Sequence, residues 1–352
     1  MGMQAPEEVK ELFSEYSDYL SNELLTYLDG QRTYDMYGMM RYFMGFADKD
    51  FKPIPAFGGK RFRSSLCLMI ADRYGDKDAA LCAALSLELF HNFTLIHDDI
   101  VDGDELRRGR PTVWKLWGSD HGINTGDAQA MLAYHVLTCG SKENPSRGLP
   151  VQEFLTERYL EVIEGQYLDF VLTDLPLGDE QLTEDAYFEM ITKKTAVLIG
   201  AATKAAGMAV GARDEECDAL WQYGLNLGIA YQLCDDAISI WGDPSVTGKI
   251  AHGDILAKKK TLPVLYAVSR MNGNDRNAFE NMYNDKEPLN DGDAIELIRL
   301  LDTTDTHDHV REQINHYKSQ SKQALDELSL SDDAKETLIR VNDALLPDSK
   351  SL

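Results

Sequence analysis

Hydrophobic residues recur every three to four positions along most of this chain. That spacing is the period of an α-helix with one apolar face packed against a core. Convincing runs of alternating β-branched and polar residues, which would indicate strands, are missing from the sequence. The pattern therefore predicts an all-α fold.

The predicted helices are separated by short segments rich in glycine, proline and asparagine. Helices are predicted over residues 7–29, 34–46, 76–104, 118–140, 151–173 and 214–241, with others from about 60 to 74, from 183 onward and beyond 262. Residues 141–150 are predicted to form a surface loop.

Charge narrows the range of partners. The formal net charge is -24, from 59 acidic and 35 basic residues among 352. Nucleic acid or an anionic membrane would need a broad basic surface, so neither is expected as a partner. An anionic ligand must instead be held by a local basic cluster or through a metal ion.

Cysteine usage and hydropathy indicate a cytoplasmic protein. The five cysteines are scattered without a Cys-x-x-Cys pair, which is typical of reduced, buried thiols rather than disulfides or a zinc site. The first residues are acidic and amphipathic, unlike a signal peptide. The apolar stretch 195–212 is interrupted by polar residues, so we predict a buried helix there and no transmembrane segment.

An acidic cluster, Asp98-Asp99-Ile100-Val101-Asp102, closes the predicted helix 76–104. Asp98 and Asp102 are four residues apart, so their carboxylates share one helix face and are suited to Mg²⁺. Arg107 and Arg108 follow and suit phosphate. In such an acidic chain, chance alone produces a pattern of this kind about once.

A second acidic cluster, with Asp235 and Asp236, lies near the end of the predicted helix 214–241 and is again followed by basic residues. Two such helices can hold magnesium ions between them, and Mg²⁺ completes its shell with phosphate oxygens and water. The repetition makes a metal-bridged diphosphate site the better interpretation.

A separate basic patch lies in Gly58-Gly59-Lys60-Arg61-Phe62-Arg63. Lys60 and Arg63 share the first helical turn and suit a diphosphate, although a solvated basic turn is the favoured explanation when the patch is considered by itself. His91 lies two turns before Asp98 and is either a structural residue or a third donor. One metal-bridged site and one purely basic site are suited to joining two diphosphate esters.

Six motifs in collinear order resemble those of the trans-isoprenyl diphosphate synthases, the polyprenyl synthetase family: GGKRFR, LIHDDIVD, RRGRPT, KT, YQLCDD and KKTLP, within residues 55–270. The resemblance implies one all-α domain over residues 1–352, a bundle of antiparallel helices around a deep central cavity, and a homodimer. It also implies condensation of isopentenyl diphosphate with an allylic diphosphate, with three Mg²⁺ ions.

The resemblance assigns roles by position. It places the allylic diphosphate and its metal ions on Asp98, Asp102 and Asp235, assisted by Arg107, Lys194, Lys249 and Lys260. It places isopentenyl diphosphate on Lys60, Arg63, His91 and Arg108. Thr195 and Gln232 match the residues that line the ionised allyl group. Further metal-ligand candidates are Asp99, Asp236, Ser239 and Asp243.

Two features leave alternatives open. Ser239 replaces the last aspartate of the family's second motif, and the spacing from Asp235 through Ser239 to Asp243 resembles class I terpene cyclases. Cyclases do not need the isopentenyl site, so intact GGKRFR and RRGRPT motifs favour the synthase. A regulatory subunit of a heteromeric synthase is a third hypothesis. Such a subunit need not retain metal ligands, whereas this chain keeps the first acidic motif complete.

Product length depends, within this family, on residues upstream of the first acidic motif. Bulky Phe93 beside small Thr94 resembles archaeal-type geranylgeranyl diphosphate synthases and predicts a C20 product, with C15 or longer products as alternatives. Phe90 is a further candidate for closing the cavity. On an ideal helix Thr94 lies about 40° and Phe93 about 140° from the Asp98 direction, so the role of Phe93 rests on the resemblance.

Overall fold

The computed structural model describes residues 7–55, 61–243 and 251–346, and nearly all of its regular structure is helical. The all-α fold class is therefore confirmed. The α-helices of the first half are α1 (Glu7–Asp29), α2 (Asp35–Phe43), α3 (Phe62–Arg73), α4 (Leu81–Val101), α5 (Val113–Trp117), α6 (Ser119–Glu143) and α7 (Pro145–Asp174). Those of the second half are α8 (Glu184–Ile191), α9 (Val197–Val210), α10 (Asp214–Trp241), α11 (Gly253–Leu256), α12 (Leu262–Arg270), α13 (Gly273–Asn284), α14 (Asp291–Leu301), α15 (Thr306–Ala324) and α16 (Asp332–Leu345).

Five shorter elements lie in the described part of the chain. Single 3₁₀ turns span Lys77–Ala80 and Leu325–Glu327. A π-helical segment, Thr192–Ala196, joins α8 to α9. Strands β1 (Leu106–Arg107) and β2 (Arg110–Pro111) form a small antiparallel ribbon that the hydropathy pattern did not predict.

The chain divides into two compact units. The first contains Lys10–Tyr159 and Ala201–Asp218, and the second contains Leu160–Gly200 and the described residues from Ala219 onward. In the first unit, α4 packs along α6. A Cβ atom on Gly126 would lie 2.3 Å from the His97 ring, and one on Gly122 would lie 2.8 Å from Ile100. Glycine at these positions lets the two helices approach closely, which fixes the end of α4.

Helix α4 is apolar on most of its circumference. By length and composition Lys77–Val101 could cross a membrane, but 61% of its most apolar window is buried inside the protein. A helix that is hydrophobic all round is expected in a core, where both faces are covered. The C-terminal end of α4, which is polar, is therefore held in place by a closely packed helix.

In the second unit, α12 packs against α8, α14 and α15. Several of these helices begin with side-chain caps that the sequence supplies locally. Thr183 accepts a hydrogen bond from the Ala186 amide, and Asn290 forms a capping box with Asp293. Such caps satisfy backbone amides that have no partner within the helix and so fix where each helix starts.

The predicted loop 141–150 is wrong over most of its length. Helix α6 continues to Glu143, and α7 already begins at Pro145. Proline is tolerated at the first helical position because its missing amide would have no partner there. Pro145 therefore starts α7 rather than preventing it, and Pro150 lies inside the same helix.

Candidate active site

The first acidic motif occupies the last turn of α4. The Asp102 amide donates to the Asp98 carbonyl oxygen at 2.8 Å, so helical geometry continues to Asp102. Asp98 is partly exposed and Asp102 is exposed. The two carboxylates therefore share a face, as the spacing predicts.

Asp99 points into the protein instead. It is 1% exposed, and the Arg107 Nε donates to its Oδ1. Burial raises the pKa of Asp99 to about 6, against the opposing effect of Arg107. Its buried Oδ2 has no hydrogen-bond partner. Arg107, predicted to assist the allylic diphosphate, thus also neutralises this aspartate.

The arginine motif RRGRPT forms a β-hairpin in which β1 and β2 are joined by a two-residue turn. Arg108 and Gly109, at its tip, both have positive φ, 53° and 75°, which is the combination of a type I′ turn. Arg110 is fixed beneath the turn, because its guanidinium lies 3.9 Å from the Tyr42 ring centroid and donates to the Ala47 carbonyl at 2.8 Å. The motif therefore presents two arginines and anchors itself through the third.

Arg63 and His91 are brought together, as predicted for the basic site. The Arg63 Nη1 lies 3.2 Å from His91 Nε2. Burial and the neighbouring Arg63, Arg108 and Arg107 hold the pKa of His91 well below 6.5. Because arginine can only donate, the neutral ring accepts at Nε2 and carries its proton on Nδ1. Lys60, the fourth predicted member, lies outside the described residues.

Lys194 and Thr195 lie in the π-helical segment of the second unit. The Lys194 ammonium pairs with Asp169 of α7 at 2.5 Å. One turn earlier on α7, Gly165 faces the Lys194 backbone, where a Cβ atom would be only 2.2 Å from the amide nitrogen. Glycine is therefore required for this approach. π-helical segments are frequent at functional sites.

Thr195, Gln232 and Asp236 form one hydrogen-bonded chain. The Thr195 hydroxyl donates to Gln232 Oε1 at 2.9 Å, and Gln232 Nε2 donates to Asp236 Oδ1 at 2.8 Å. Tyr187 of α8 donates to the other oxygen, Oδ2, at 2.5 Å. Burial, with the nearby Asp254 and Asp235 carboxylates, raises the pKa of Asp236. The carboxylate fixes the orientation of the Gln232 amide.

The other predicted members of the second motif differ in exposure. Asp235 is partly exposed on α10, and Asp243 is exposed just beyond it. Ser239 is buried and accepts the Asp254 amide at 3.1 Å. Lys260 donates to the Thr173 carbonyl, and burial lowers its pKa. Lys249 lies outside the described residues.

The chain-length candidates pack along α4. Phe90 is fully buried and stacks on Tyr159 with ring centroids 3.9 Å apart. Phe93, partly exposed, meets Phe90 edge-on at 5.2 Å. The Thr94 hydroxyl bonds back to the His91 carbonyl at 2.8 Å. Phe90 therefore belongs to the core of the first unit.

The donor set is suited to magnesium. Among the described residues, no group of three or more His, Cys, Asp or Glu side chains could enclose a metal ion. Each acidic motif offers accessible carboxylate oxygens near a helix end, from Asp98 and Asp102 in the first motif and from Asp235 in the second. Mg²⁺ is commonly held by one or two carboxylates and takes its other ligands from water and phosphate. The residues present fit that ion.

The sequence patterns do not indicate Asp169 and Tyr187, which bond to the predicted site residues Lys194 and Asp236. Tyr187 precedes Lys194 by seven residues, and Asp169 ends the stretch Gly165-Gln166-Tyr167-Leu168-Asp169. Both positions follow helical spacing around a glycine or a motif residue. Their partners lie far away along the chain, so the pairings themselves left no local signal.

Comparisons with known proteins show the family of this chain. Residues 49–301 match the polyprenyl synthetase family. A (2E,6E)-farnesyl diphosphate synthase from Mycobacterium tuberculosis is 37% identical over 235 residues, covering 66% of this chain and 63% of that protein. A geranylgeranyl diphosphate synthase from the same organism is 38% identical over 232 residues, covering 66% and 65% respectively.

The fold has solved counterparts. A polyprenyl synthetase from Streptomyces coelicolor superposes with a TM-score of 0.86 at 26% identity, covering 96% of this chain and 100% of that one. The two mycobacterial alignments each span slightly less than two thirds of the relative's length. The structural match, in contrast, extends over almost the whole chain.

Proposed function

This chain belongs to the polyprenyl synthetase family, and we propose that it condenses isopentenyl diphosphate with allylic diphosphates in a magnesium-dependent, head-to-tail reaction. The observation that carries the proposal is the presence of two kinds of anion site. Asp98 and Asp102 offer a carboxylate face on α4, whereas Arg63 and His91 bring a guanidinium and a neutral imidazole together, 3.2 Å apart. One suits a metal-bound diphosphate and the other a diphosphate bound directly.

The carboxylates of Asp98, Asp102 and Asp235 would hold three Mg²⁺ ions with the allylic diphosphate. When bound, magnesium neutralises the negative charge that accumulates on the departing diphosphate. Four basic residues add further positive charge to that side: Arg107, Lys194, Lys249 and Lys260. Asp99, Asp236, Ser239 and Asp243 are secondary candidates, and the bonded oxygens of Asp236 favour a supporting role.

Isopentenyl diphosphate is assigned to Lys60, Arg63, His91 and Arg108. With Nε2 accepting from Arg63, His91 can donate its Nδ1 proton to a diphosphate oxygen. Arg63 and Arg108 add charge-assisted hydrogen bonds. The cluster can therefore bind a phosphate group without a metal ion.

The bond changes balance without a side-chain base. The allylic C1–O bond breaks and its electron pair leaves with the diphosphate, while the double bond of isopentenyl diphosphate attacks C1. The proton lost from C2 of the adduct passes to the released diphosphate. Thr195 and Gln232 would line the allyl cation and stabilise it through their oxygen atoms. Their mutual hydrogen bond keeps both groups oriented.

We assign a C20 product, geranylgeranyl diphosphate. Small Thr94 beside bulky Phe93 supports this length. The relatives named for C15 and C20 products are equally similar to this chain, so overall similarity does not choose between the two lengths. Replacing Thr94 by Phe should shorten the product to C15, and Phe93→Ala should lengthen it. Product chromatography that shows unchanged lengths in both variants would refute this assignment.

We further propose a homodimer in the cytoplasm. Four large apolar side chains are exposed on α7 at helical spacing: Leu160, Ile163, Tyr167 and Phe170. A continuous apolar stripe on one helix face is typical of a surface that another subunit covers. Light scattering coupled to size exclusion should give a dimer mass for the wild type and a monomer mass for an Ile163→Asp/Phe170→Asp variant.

The test of the reaction is direct incubation. Purified protein is mixed with Mg²⁺, radiolabelled isopentenyl diphosphate and a C5, C10 or C15 allylic diphosphate, and the dephosphorylated products are separated by chromatography. We expect labelled C20 alcohol that disappears when EDTA is added. A cyclic hydrocarbon formed without isopentenyl diphosphate would instead establish the terpene cyclase alternative.

A further inference from the structure

Arg61 stands inside the basic motif, next to Lys60 in sequence, but its side chain is buried. Its Nε donates to the Ser21 hydroxyl at 2.8 Å, its Nη1 to Glu88 at 3.1 Å, and its Nη2 to the Met44 carbonyl at 3.2 Å. The side chain is only 2% exposed. Every guanidinium nitrogen thus has a protein partner, and Arg61 does not face a substrate.

Glu88, the partner of Arg61, is also buried, and both of its carboxylate oxygens accept hydrogen bonds. The side chain is 5% exposed. Its Oε2 accepts the Ser64 hydroxyl at 3.0 Å, and its Oε1 also accepts the Asn92 amide at 2.9 Å. A buried ion pair with all of its atoms hydrogen-bonded adds little net stability, because removing two charges from water is costly. What such a pair does supply is one defined geometry.

The pair lies directly behind the basic cluster. Arg61 immediately precedes α3, and Arg63 lies in the first turn of that helix. His91 is three residues beyond Glu88 on α4. The Arg63–His91 contact at 3.2 Å therefore joins the same two helices as the buried Arg61–Glu88 pair. A shift of α3 along α4 would move both contacts together.

Arg61 also holds an unfavourable backbone conformation. Its φ and ψ are 46° and 34°, in the left-handed region, where a residue with a side chain loses about 1 kcal/mol or more. Such a conformation persists only when surrounding contacts enforce it. The three guanidinium bonds supply that enforcement immediately before the first turn of α3.

We infer that the Arg61–Glu88 pair is a positioning device for isopentenyl diphosphate. It fixes the start of α3 against α4, so that Arg63 and His91 keep the spacing that a diphosphate needs. Arg61 and Glu88 are positioning residues and do not touch the substrate. The inference rests on the proposed function, which assigns that diphosphate to this cluster.

The test separates the two substrates. Arg61→Lys keeps the positive charge but loses the three-way geometry, and should raise the KM for isopentenyl diphosphate at least about tenfold. The allylic KM and the kcat should stay within about twofold, because that side of the reaction does not use α3. Ser64→Ala removes one bond to Glu88 and should raise the same KM about threefold to fivefold.

Ser141→Ala is the matched control. Ser141 is also a buried serine of the first unit whose hydroxyl bonds to a side chain, that of Gln152 at 2.7 Å. This variant should lose a similar amount of thermal stability while both KM values remain unchanged. It therefore reports what a purely structural loss looks like.

Three outcomes would overturn the inference: melting temperatures that fall while both KM values stay constant, both KM values rising together, or a lower KM for isopentenyl diphosphate. If Arg61→Lys does not fold, Ser64→Ala decides alone by the same criteria. If the wild type catalyses no condensation, the proposed function fails. Calorimetric titration with isopentenyl diphosphate then tests the pair separately, and equal affinity in wild type and Ser64→Ala would refute it.

Discussion

The second aspartates of the two acidic motifs, Asp99 and Asp236, occupy matching sequence positions in different environments. Both are buried, and burial raises the pKa of each. Asp99 is neutralised by a cation, Arg107, from the hairpin that follows its helix. Asp236 accepts hydrogen bonds from the neutral donors Tyr187 and Gln232 and lies near further carboxylates.

This difference teaches that a repeated acidic pattern does not imply repeated chemistry. In the first motif the buried aspartate fixes an arginine beside the metal-type face. In the second, it fixes an amide that contacts Thr195. In the proposed reaction, the first motif would organise charge for a diphosphate, and the second would organise neutral dipoles around the reacting carbon. Three substitutions, each with a comparison variant, test this division, and a fourth tests the basic cluster.

The largest effect should come from the exposed aspartate of the first motif. Asp98→Asn removes a carboxylate proposed to bind Mg²⁺ and should lower kcat/KM about 10³-fold. It should also raise the Mg²⁺ concentration needed for half-maximal rate. Asp99→Asn, one residue away but buried, should leave that Mg²⁺ requirement close to the wild-type value. Equal Mg²⁺ requirements in the two variants would remove the distinction between an exposed ligand and a buried partner.

Arg107→Ala should have the next largest effect, on stability. It leaves the Asp99 carboxylate buried without its cation, at a cost of about 3 kcal/mol in the free energy of unfolding. Asp99→Asn in the same chain should recover part of that loss. Denaturant titration measures both. Arg311→Ala, which breaks an exposed Arg311–Asp308 pair at 2.6 Å, is the control and should cost less than about 0.5 kcal/mol.

Tyr187→Phe should act on the second motif through Gln232. Losing the donor to Asp236 should cost about 1 kcal/mol of stability and lower kcat about tenfold with little change in either KM. Tyr223→Phe is the matched control, because Tyr223 is a buried tyrosine of the same unit that donates to the Leu338 carbonyl at 3.0 Å. If both variants change kcat equally, the loss is structural and the dipole account fails.

The smallest effect should appear in the pH dependence of stability. The folded protein holds the pKa of His91 well below 6.5. Below pH 6.5 the unfolded chain therefore binds more protons at this residue, so stability falls as pH falls toward the folded pKa. His91→Gln should reduce that loss by about 1 kcal/mol between pH 7 and 5. Urea titrations at pH 7 and pH 5 measure the free energy of unfolding of both proteins. If it changes with pH equally in wild type and His91→Gln, the folded protein does not lower the pKa of His91.

Local patterns predicted much of the fold. Helices such as α1 and α10 were predicted within a residue or two, because amphipathic spacing and terminal caps are properties of neighbouring residues. Pro145 misled the prediction for 141–150 because proline at the start of a helix resembles proline in a loop. The Arg108-Gly109 turn was missed because its first residue is not the usual asparagine or aspartate.

The candidate site was predictable as a set of residues and not as a set of partners. The sequence indicates Asp99, Arg63 and Gln232 through their motifs. It cannot indicate that Tyr187 reaches Asp236, 49 positions away, or that Arg61 reaches Glu88, 27 positions away. Those contacts arise from helix packing, which periodicity alone does not specify.

The central claim is that one diphosphate binds through metal and the other binds directly to basic side chains. Isothermal titration calorimetry with and without EDTA tests this, using isopentenyl diphosphate and a non-ionising thiolo analogue of the allylic diphosphate as separate ligands. Isopentenyl diphosphate should bind with the same affinity in both conditions, and the allylic analogue only when Mg²⁺ is present. Loss of isopentenyl diphosphate binding in EDTA, or retention of the analogue, would contradict the claim.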